Sequence, residues 1–203
     1  MRRMDAKTQK AELTRAAIIG AAMDLAGLEG LESITLQAVA DRVGLSKSGV
    51  FSRVGSRETL QKAVIDEWGR RFLDDVFVPA MQQPKGLPRL DTIVRRWIAR
   101  TRDVETRTGC IFSAGAFELD DRDGPLRDHL HGEVLRWRAG LRRTVVQAIE
   151  AKQLRTGTDP EQLVSEIYAL TLVMIHDARF LRDARAAERA QASWQRLLST
   201  YRA

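Results

Sequence analysis

The chain has 203 residues, 44% hydrophobic and 30% charged, a balance typical of folded globular proteins and unlike that of disordered chains. No apolar run approaches the roughly 20 residues that cross a bilayer, and no apolar segment of a signal peptide follows the basic stretch Met1–Lys10; a cytoplasmic location is expected. The single cysteine, Cys110, excludes an internal disulfide, and the net charge of +6 favours a polyanionic partner.

The charge is spread along the chain. Residues 1–57 carry nine Lys/Arg against six Asp/Glu, only half of the excess. Arg2, Arg3, Lys7 and Lys10 form a basic arm, which is either a solvated tail or a source of phosphate and minor-groove contacts. Ile18, Ala21, Ala22 and Leu25 mark an amphipathic first helix.

The segment Ser33–Val54 carries the strongest pattern. Leu36, Val39, Ala40 and Val43 recur at helical spacing, and Gly44-Leu45-Ser46 interrupts them. Gly44 can take the positive φ that ends a helix, and Ser46 can cap the next. A second short helix from about Lys47 turns Val50 and Val54 inward and leaves Lys47, Ser48 and Arg53 outside. Two short helices joined by a Gly-containing turn form either an ordinary helical hairpin or a helix-turn-helix, whose second helix enters the major groove.

The flanks decide between them. Arg15, Ala21-Ala22, Gly30, Thr35, Val39-Ala40, Gly44-Leu45-Ser46, Val50-Phe51 and Ser56-Arg57-Glu58-Thr59-Leu60 together closely resemble the TetR family of bacterial transcriptional regulators. The resemblance implies an all-α fold of about nine helices. A three-helix DNA-binding domain, residues 1–56, would precede a larger helical domain, residues 57–203, that binds an effector and dimerises. It further implies that Thr35, Gln37, Ser46, Lys47, Ser48, Gly49, Phe51, Arg53 and Arg57 face DNA. Gln37 and Lys47 have the reach and donors for base edges, and Ser48 can meet phosphate or base. Gly49 costs a helix about 1 kcal/mol relative to Ala, repaid either by close approach of a phosphate or by tight packing. Thr35 and Ser56 should cap the helices that follow them, and Arg57 with the amides of its helix should attract a phosphate. Where relatives usually have Tyr-x-His-Phe, this chain has Phe51-Ser52-Arg53-Val54. The ring is kept, its hydroxyl is lost, and Arg53 brings a permanent charge.

Beyond the head the pattern is helical throughout. A fourth helix over about 57–82 carries Leu60, Val64, Trp68, Phe72 and Val76. A fifth begins at Pro88 with Leu90, Ile93, Val94, Trp97 and Ile98 on one stripe. The irregular stretch 106–118 holds a short sixth helix. Pro125 opens a seventh lined by Leu126, Leu130, Val134, Trp137, Leu141 and Val145. Asp159-Pro160-Glu161-Gln162 is a helix start. The eighth helix has two apolar stripes, Leu163, Ile167, Leu170 and Met174 beside Val164, Tyr168, Leu172 and Ile175; a ninth carries Ala190, Trp194, Leu197, Leu198 and Tyr201. Gly109-Cys110 and Asp120-Asp121 through Gly124-Pro125 resemble one subgroup of the family.

The resemblance makes Leu163, Ile167, Leu170, Met174, Trp194, Leu197 and Leu198 candidates for a homodimer interface, against the alternative of a monomeric bundle centred on the eighth helix. Trp68, Phe72, Trp97, Cys110, Phe112, Phe117, Trp137 and Met174 either fill the core or line an effector pocket suited to an apolar or aromatic molecule. Cys110 is either a buried small apolar residue or an oxidant sensor, the latter needing a cation such as Arg107 to depress its pKa. His129, Glu133 and Asp128 could supply part of a metal site, but on a charged helix they read as surface pairs. No nucleophile motif and no phosphate-cradling glycine loop occurs. A dimeric repressor of a palindromic DNA operator, neither an enzyme nor a cofactor protein, is expected. The alternatives are a constitutive DNA-binding protein without effector and a helical metal-dependent enzyme.

Overall fold

A computed structural model describes residues 6–203. Among the described residues there is no strand, and no helix is long and apolar enough to cross a membrane. Helix α1 is Ala6–Glu29, followed by a 3-10 turn, Leu31–Ser33, then α2, Leu36–Val43, and α3, Lys47–Val54. Lys7 and Lys10 therefore lie on α1 and not on an arm; Arg2 and Arg3 fall outside the described residues. Helix α4 starts at Arg57–Phe72, passes through a π turn at Leu73–Phe77 and ends with Val78–Ala80. Helix α5, Leu87–Arg100, likewise runs through a π turn, Thr101–Glu105, into Thr106–Thr108. Then come α6, Ile111–Glu118, α7, Pro125–Glu150, α8, Pro160–Arg179, and α9, Ala186–Tyr201.

The chain divides into two compact units, and the division is not the expected one between residues 56 and 57. The first unit holds the described residues up to Gly69 together with Ile111–His131; the second holds Arg70–Cys110 and Gly132–Ala203. The first turns of α4 stay with the head because Leu60, Val64 and Ile65 are fully buried in it beside Ile18, Leu25, Ile34, Val39 and Val50. Helix α6 stays with it through a carboxylate. Glu118 accepts the amide hydrogens of Leu31 (2.7 Å) and Glu32 (2.8 Å). From α4, Gln61 donates to the Leu31 carbonyl (2.9 Å), and Arg57 donates to the carbonyls of Ile34 (2.7 Å) and Glu32 (2.6 Å). The 3-10 turn is thus bound by side chains from two other helices. Gly30 enters it at φ 90, where a Cβ would sit 2.8 Å from the Glu118 carboxylate.

The second unit is built on α8, whose start is fixed by Asp159, which accepts the Glu161 amide (2.9 Å), and by Pro160 at the first turn. Leu163, Val164 and Ile167 of α8 and Trp194 of α9 are fully buried, and the Trp194 indole donates to Asp91 of α5 (2.7 Å). This core also encloses charge. Glu105 is 0% exposed and accepts from Arg100 (3.2 Å) and Thr101 (3.0 Å), and the Cys110 thiol donates to it as well. Arg100 also pairs with Asp75 in the first π turn, and Arg179 donates to the Glu105 carbonyl (3.1 Å).

Replacing Glu118 by Ala strands two amides in a partly buried turn, which should lower the unfolding free energy by about 1–3 kcal/mol in denaturant titrations. Burial pushes the Glu105 carboxyl above its ordinary range, more than Arg100 and Thr101 hold it down. The folded chain then binds this proton more tightly than the unfolded chain does. The contribution of the group to stability is full below the ordinary carboxylate pKa and falls as pH rises through the raised value. Unfolding free energies measured across that acidic range should decline with pH in the parent more steeply than in a Glu105→Gln variant.

Candidate functional site

Each helix of the head is terminated by a side chain or glycine placed for it. The Thr35 hydroxyl accepts the Ala38 amide (3.0 Å) and starts α2; Gly44, at φ 67, ends it. The Ser46 hydroxyl accepts the Gly49 amide (3.0 Å) and starts α3, and Ser56 does the same for α4 through Thr59 (3.1 Å). With Val50 and Val54 buried, the opposite face of α3 is turned to solvent: Lys47, Ser48 and Arg53 are exposed, and so is Phe51 at 57%. A bare aromatic ring there has no intramolecular use. Gln37 is exposed on α2, bound only to Asp41 of its own helix (2.7 Å).

Two expectations change. A Cβ at Gly49 would lie 3.1 Å from the Ser46 hydroxyl that caps α3, so the tight fit against that cap alone explains the glycine. Arg57 does not stand free for a phosphate. Its guanidinium is committed to the carbonyls of Glu32 and Ile34 and to the Glu32 carboxylate (3.3 Å), because those turn carbonyls have no helical partner.

The aromatic residues expected at an effector site are divided. In the first unit Trp68 and Phe112 lie against each other, ring centres 4.3 Å apart, while Phe117 is 70% exposed and lines no interior wall. It faces out because α6 spends its inner face on Ile111, Phe112 and Gly115, where a Cβ would come 2.7 Å from Leu31. In the second unit Phe72, Trp97 and Trp137 form an edge-to-face cluster with centres 4.5 to 5.6 Å apart. Two members were missed in the sequence: Phe77, which meets Trp137 at 4.5 Å, and Tyr168, which meets Trp97 at 5.4 Å. Tyr168 was taken only as part of an apolar stripe. Burial first, then the neighbouring Cys110 and Glu105, push its hydroxyl up to about 12. Met174 is buried on the same helix.

Cys110 is buried and donates to Glu105, which favours the thiol over the thiolate; Arg107 is turned instead to the Asp103 carbonyl (2.8 Å). The surface residues considered as metal ligands are each in an ion pair: His129 with Asp66 (2.7 Å), Asp128 with Arg127 (3.7 Å) and Glu133 with Arg136 (2.7 Å).

The interface expectation needs the larger correction. Leu163, Ile167, Met174, Trp194 and Leu198 are buried within the chain; only Leu170 and Leu197 keep partial exposure. The stripe through Leu163 and Ile167 is the inner face of α8. The outer face of α8 and α9 carries Val173, 58% exposed, and a groove of about 360 Å³ lined by Leu170, Met174, Ala186, Arg189 and Ala190. Phe180 and Leu181 are exposed at the end of α8.

Residues 86–194 match the family described as tetracyclin repressor-like, C-terminal domain. No curated protein matches the chain. Among solved structures, a TetR-family transcriptional regulator from Cytophaga hutchinsonii superposes with a TM-score of 0.80 at 18% identity, covering 99% of this chain and 98% of that one. A TetR regulator from Chloroflexus aurantiacus gives 0.79 at 24% identity, covering 94% and 95%. A third structure, AibR in complex with isovaleryl coenzyme A and operator DNA, gives 0.69 at 18% identity, covering 90% and 95%. The profile spans more than half of the sequence, and the superpositions extend over the head as well. The chain belongs to the TetR family, whose members are DNA-binding transcriptional regulators and not enzymes.

Proposed function

We propose that this regulator is a cytoplasmic homodimer that represses transcription from a palindromic DNA operator and is released by a small apolar or aromatic molecule. The observation that carries the DNA-binding part is the exposed face of α3. Lys47, Ser48, Phe51 and Arg53 project from a helix whose other side is locked into the head by Val50 and Val54. Lys47 can donate to a guanine edge, Gln37 can pair with adenine, and Ser46, Ser48 and Thr35 lie where hydroxyls meet phosphates. Phe51 lacks the hydroxyl usual in relatives and offers its ring to a sugar or a thymine methyl, while Arg53 supplies the phosphate charge. Arg57 contributes by holding the turn before α2 in place.

Two copies are needed because one short helix reads only a few base pairs, and a palindrome presents the second half-site about one turn of DNA away. The outer face of α8 and α9 is the surface we assign to the second copy. It is apolar at Leu170, Val173, Leu197 and Phe180, and small residues at Ala186 and Ala190 allow helices to approach closely. For the effector, the aromatic cluster of the second unit offers apolar surface in the part of the chain that matches the tetracyclin repressor-like domain. The operator complex of AibR with isovaleryl coenzyme A supports a small-molecule ligand for this fold. A molecule that prefers the state with weaker DNA affinity must itself be weakened by DNA to the same degree, and a coupling of about 2–3 kcal/mol makes a useful switch.

Lys47→Ala and Arg53→Ala should each reduce affinity for an operator selected from random DNA by about 1–3 kcal/mol while leaving thermal unfolding unchanged. Unaltered affinity in both would remove α3 as the reading helix. A Val173→Glu substitution should convert the dimer to monomer in light scattering and weaken operator binding, whereas the same change at exposed Leu135, on α7, should do neither. A monomeric parent protein would end the homodimer assignment.

A further inference from the structure

We infer that the effector bears a neutral carbonyl oxygen on an apolar or aromatic body, and that the indole N–H groups of Trp97 and Trp137 bind that oxygen. The inference rests on the effector-binding reading above and adds the polar group that the ligand must carry. The second unit treats its tryptophans unequally. Trp194 is fully buried and its N–H is spent on Asp91 at 2.7 Å. Trp97 and Trp137 are 5% and 6% exposed, their rings stand 4.9 Å apart nearly at right angles, and neither indole nitrogen has a hydrogen-bond partner. A buried indole N–H ordinarily finds an acceptor, and one left without it costs about 1–3 kcal/mol. Two such donors side by side, among Phe72, Phe77 and Tyr168, are an incomplete recognition element. What they lack is acceptors. An apolar molecule alone would leave both unsatisfied, and a hydroxyl would bring a further donor.

The charges around the cluster argue for a neutral acceptor. Arg100, the buried cation beside it, lies 5.6 Å over the Phe72 ring and already pairs with Asp75 and Glu105. Glu105 is completely buried, so a ligand carboxylate would be desolvated near another carboxylate. Arg138 stands over the Tyr168 ring at 5.1 Å, on a half-buried position where water still screens it. A ketone, ester, lactone or amide oxygen satisfies both donors without bringing a charge.

The test uses three probes of similar shape: 4-phenylbutan-2-one, butylbenzene, which lacks the oxygen, and 3-phenylpropanoate, which is anionic. The chain has four tryptophans, so 15N-labelled indole resonances can be assigned one by one with Trp→Phe variants. The ketone should move the Nε1–H resonances of Trp97 and Trp137 downfield and leave that of Trp194 in place. It should bind about tenfold more tightly than butylbenzene. Trp97→Phe and Trp137→Phe should weaken the ketone severalfold and leave butylbenzene unchanged. The ketone–hydrocarbon comparison on the unsubstituted protein holds even where a variant fails to fold. Equal affinity for ketone and butylbenzene, or unmoved indole resonances in the bound state, overturns the carbonyl while leaving an apolar effector site standing. Tighter binding of 3-phenylpropanoate than of the ketone overturns neutrality. Binding of none of the three, with operator affinity unmoved by each, removes the inference and the apolar-effector reading together.

Discussion

The short turn Leu31–Ser33 is the joint on which the reading head is assembled. Its backbone runs between helices without a ladder of its own, so its polar groups must be met from elsewhere. Glu118 takes two amides, and Gln61 and Arg57 take three carbonyls. Charged groups on both sides make these bonds stronger than neutral ones. They fix where α2 begins, and the caps at Thr35 and Ser46 then set α2 and α3 in register. The exposed face of α3 is therefore aimed by residues far from it in sequence, and α6 is part of the head because one of its carboxylates completes the joint.

The second unit solves a different problem. Its core holds four tryptophan or tyrosine rings and an ion network in the same volume, and it reconciles them by segregating them. Phe72, Trp97, Trp137 and Tyr168 pack edge to face, while Arg100 gathers Asp75 and Glu105 at their border. Burying such a network is not a route to high stability in itself. It fixes which way the aromatic rings face, and it leaves two indole donors unmet.

Much of this was legible in the sequence. Periodicity located the helices, and the identities at Thr35, Gly44, Ser46, Ser56 and Asp159 located their ends, because capping is a local property of a few residues. What failed was what depends on distant parts of the chain. Arg57 looked like a phosphate ligand because nothing nearby competes for it; its true partners lie 23 and 25 residues earlier. Leu163 and Ile167 looked available for a partner subunit because a helix with two apolar stripes does not say which one its own chain covers. Phe117 looked like core because composition cannot tell an inner ring from an outer one. The boundary at residue 57 failed because α4 serves both units.

The strict spacing of four in Phe72, Val76, Ala80 and again in Trp97, Thr101, Glu105 carries a consequence for how this chain can change. Along an α-helix that spacing drifts about 40° per step; the wider π turns at Leu73–Phe77 and Thr101–Glu105 turn it back, so all six residues stay buried. Each π turn amounts to one surplus residue. Deleting a single amino acid from either would restore a regular coil and swing whatever follows by about 100°, carrying Glu105 or Ala80 off the interior side. The length of these two helices is consequently under tighter constraint than their composition, and lineages that vary here should exchange side chains freely while keeping the residue count.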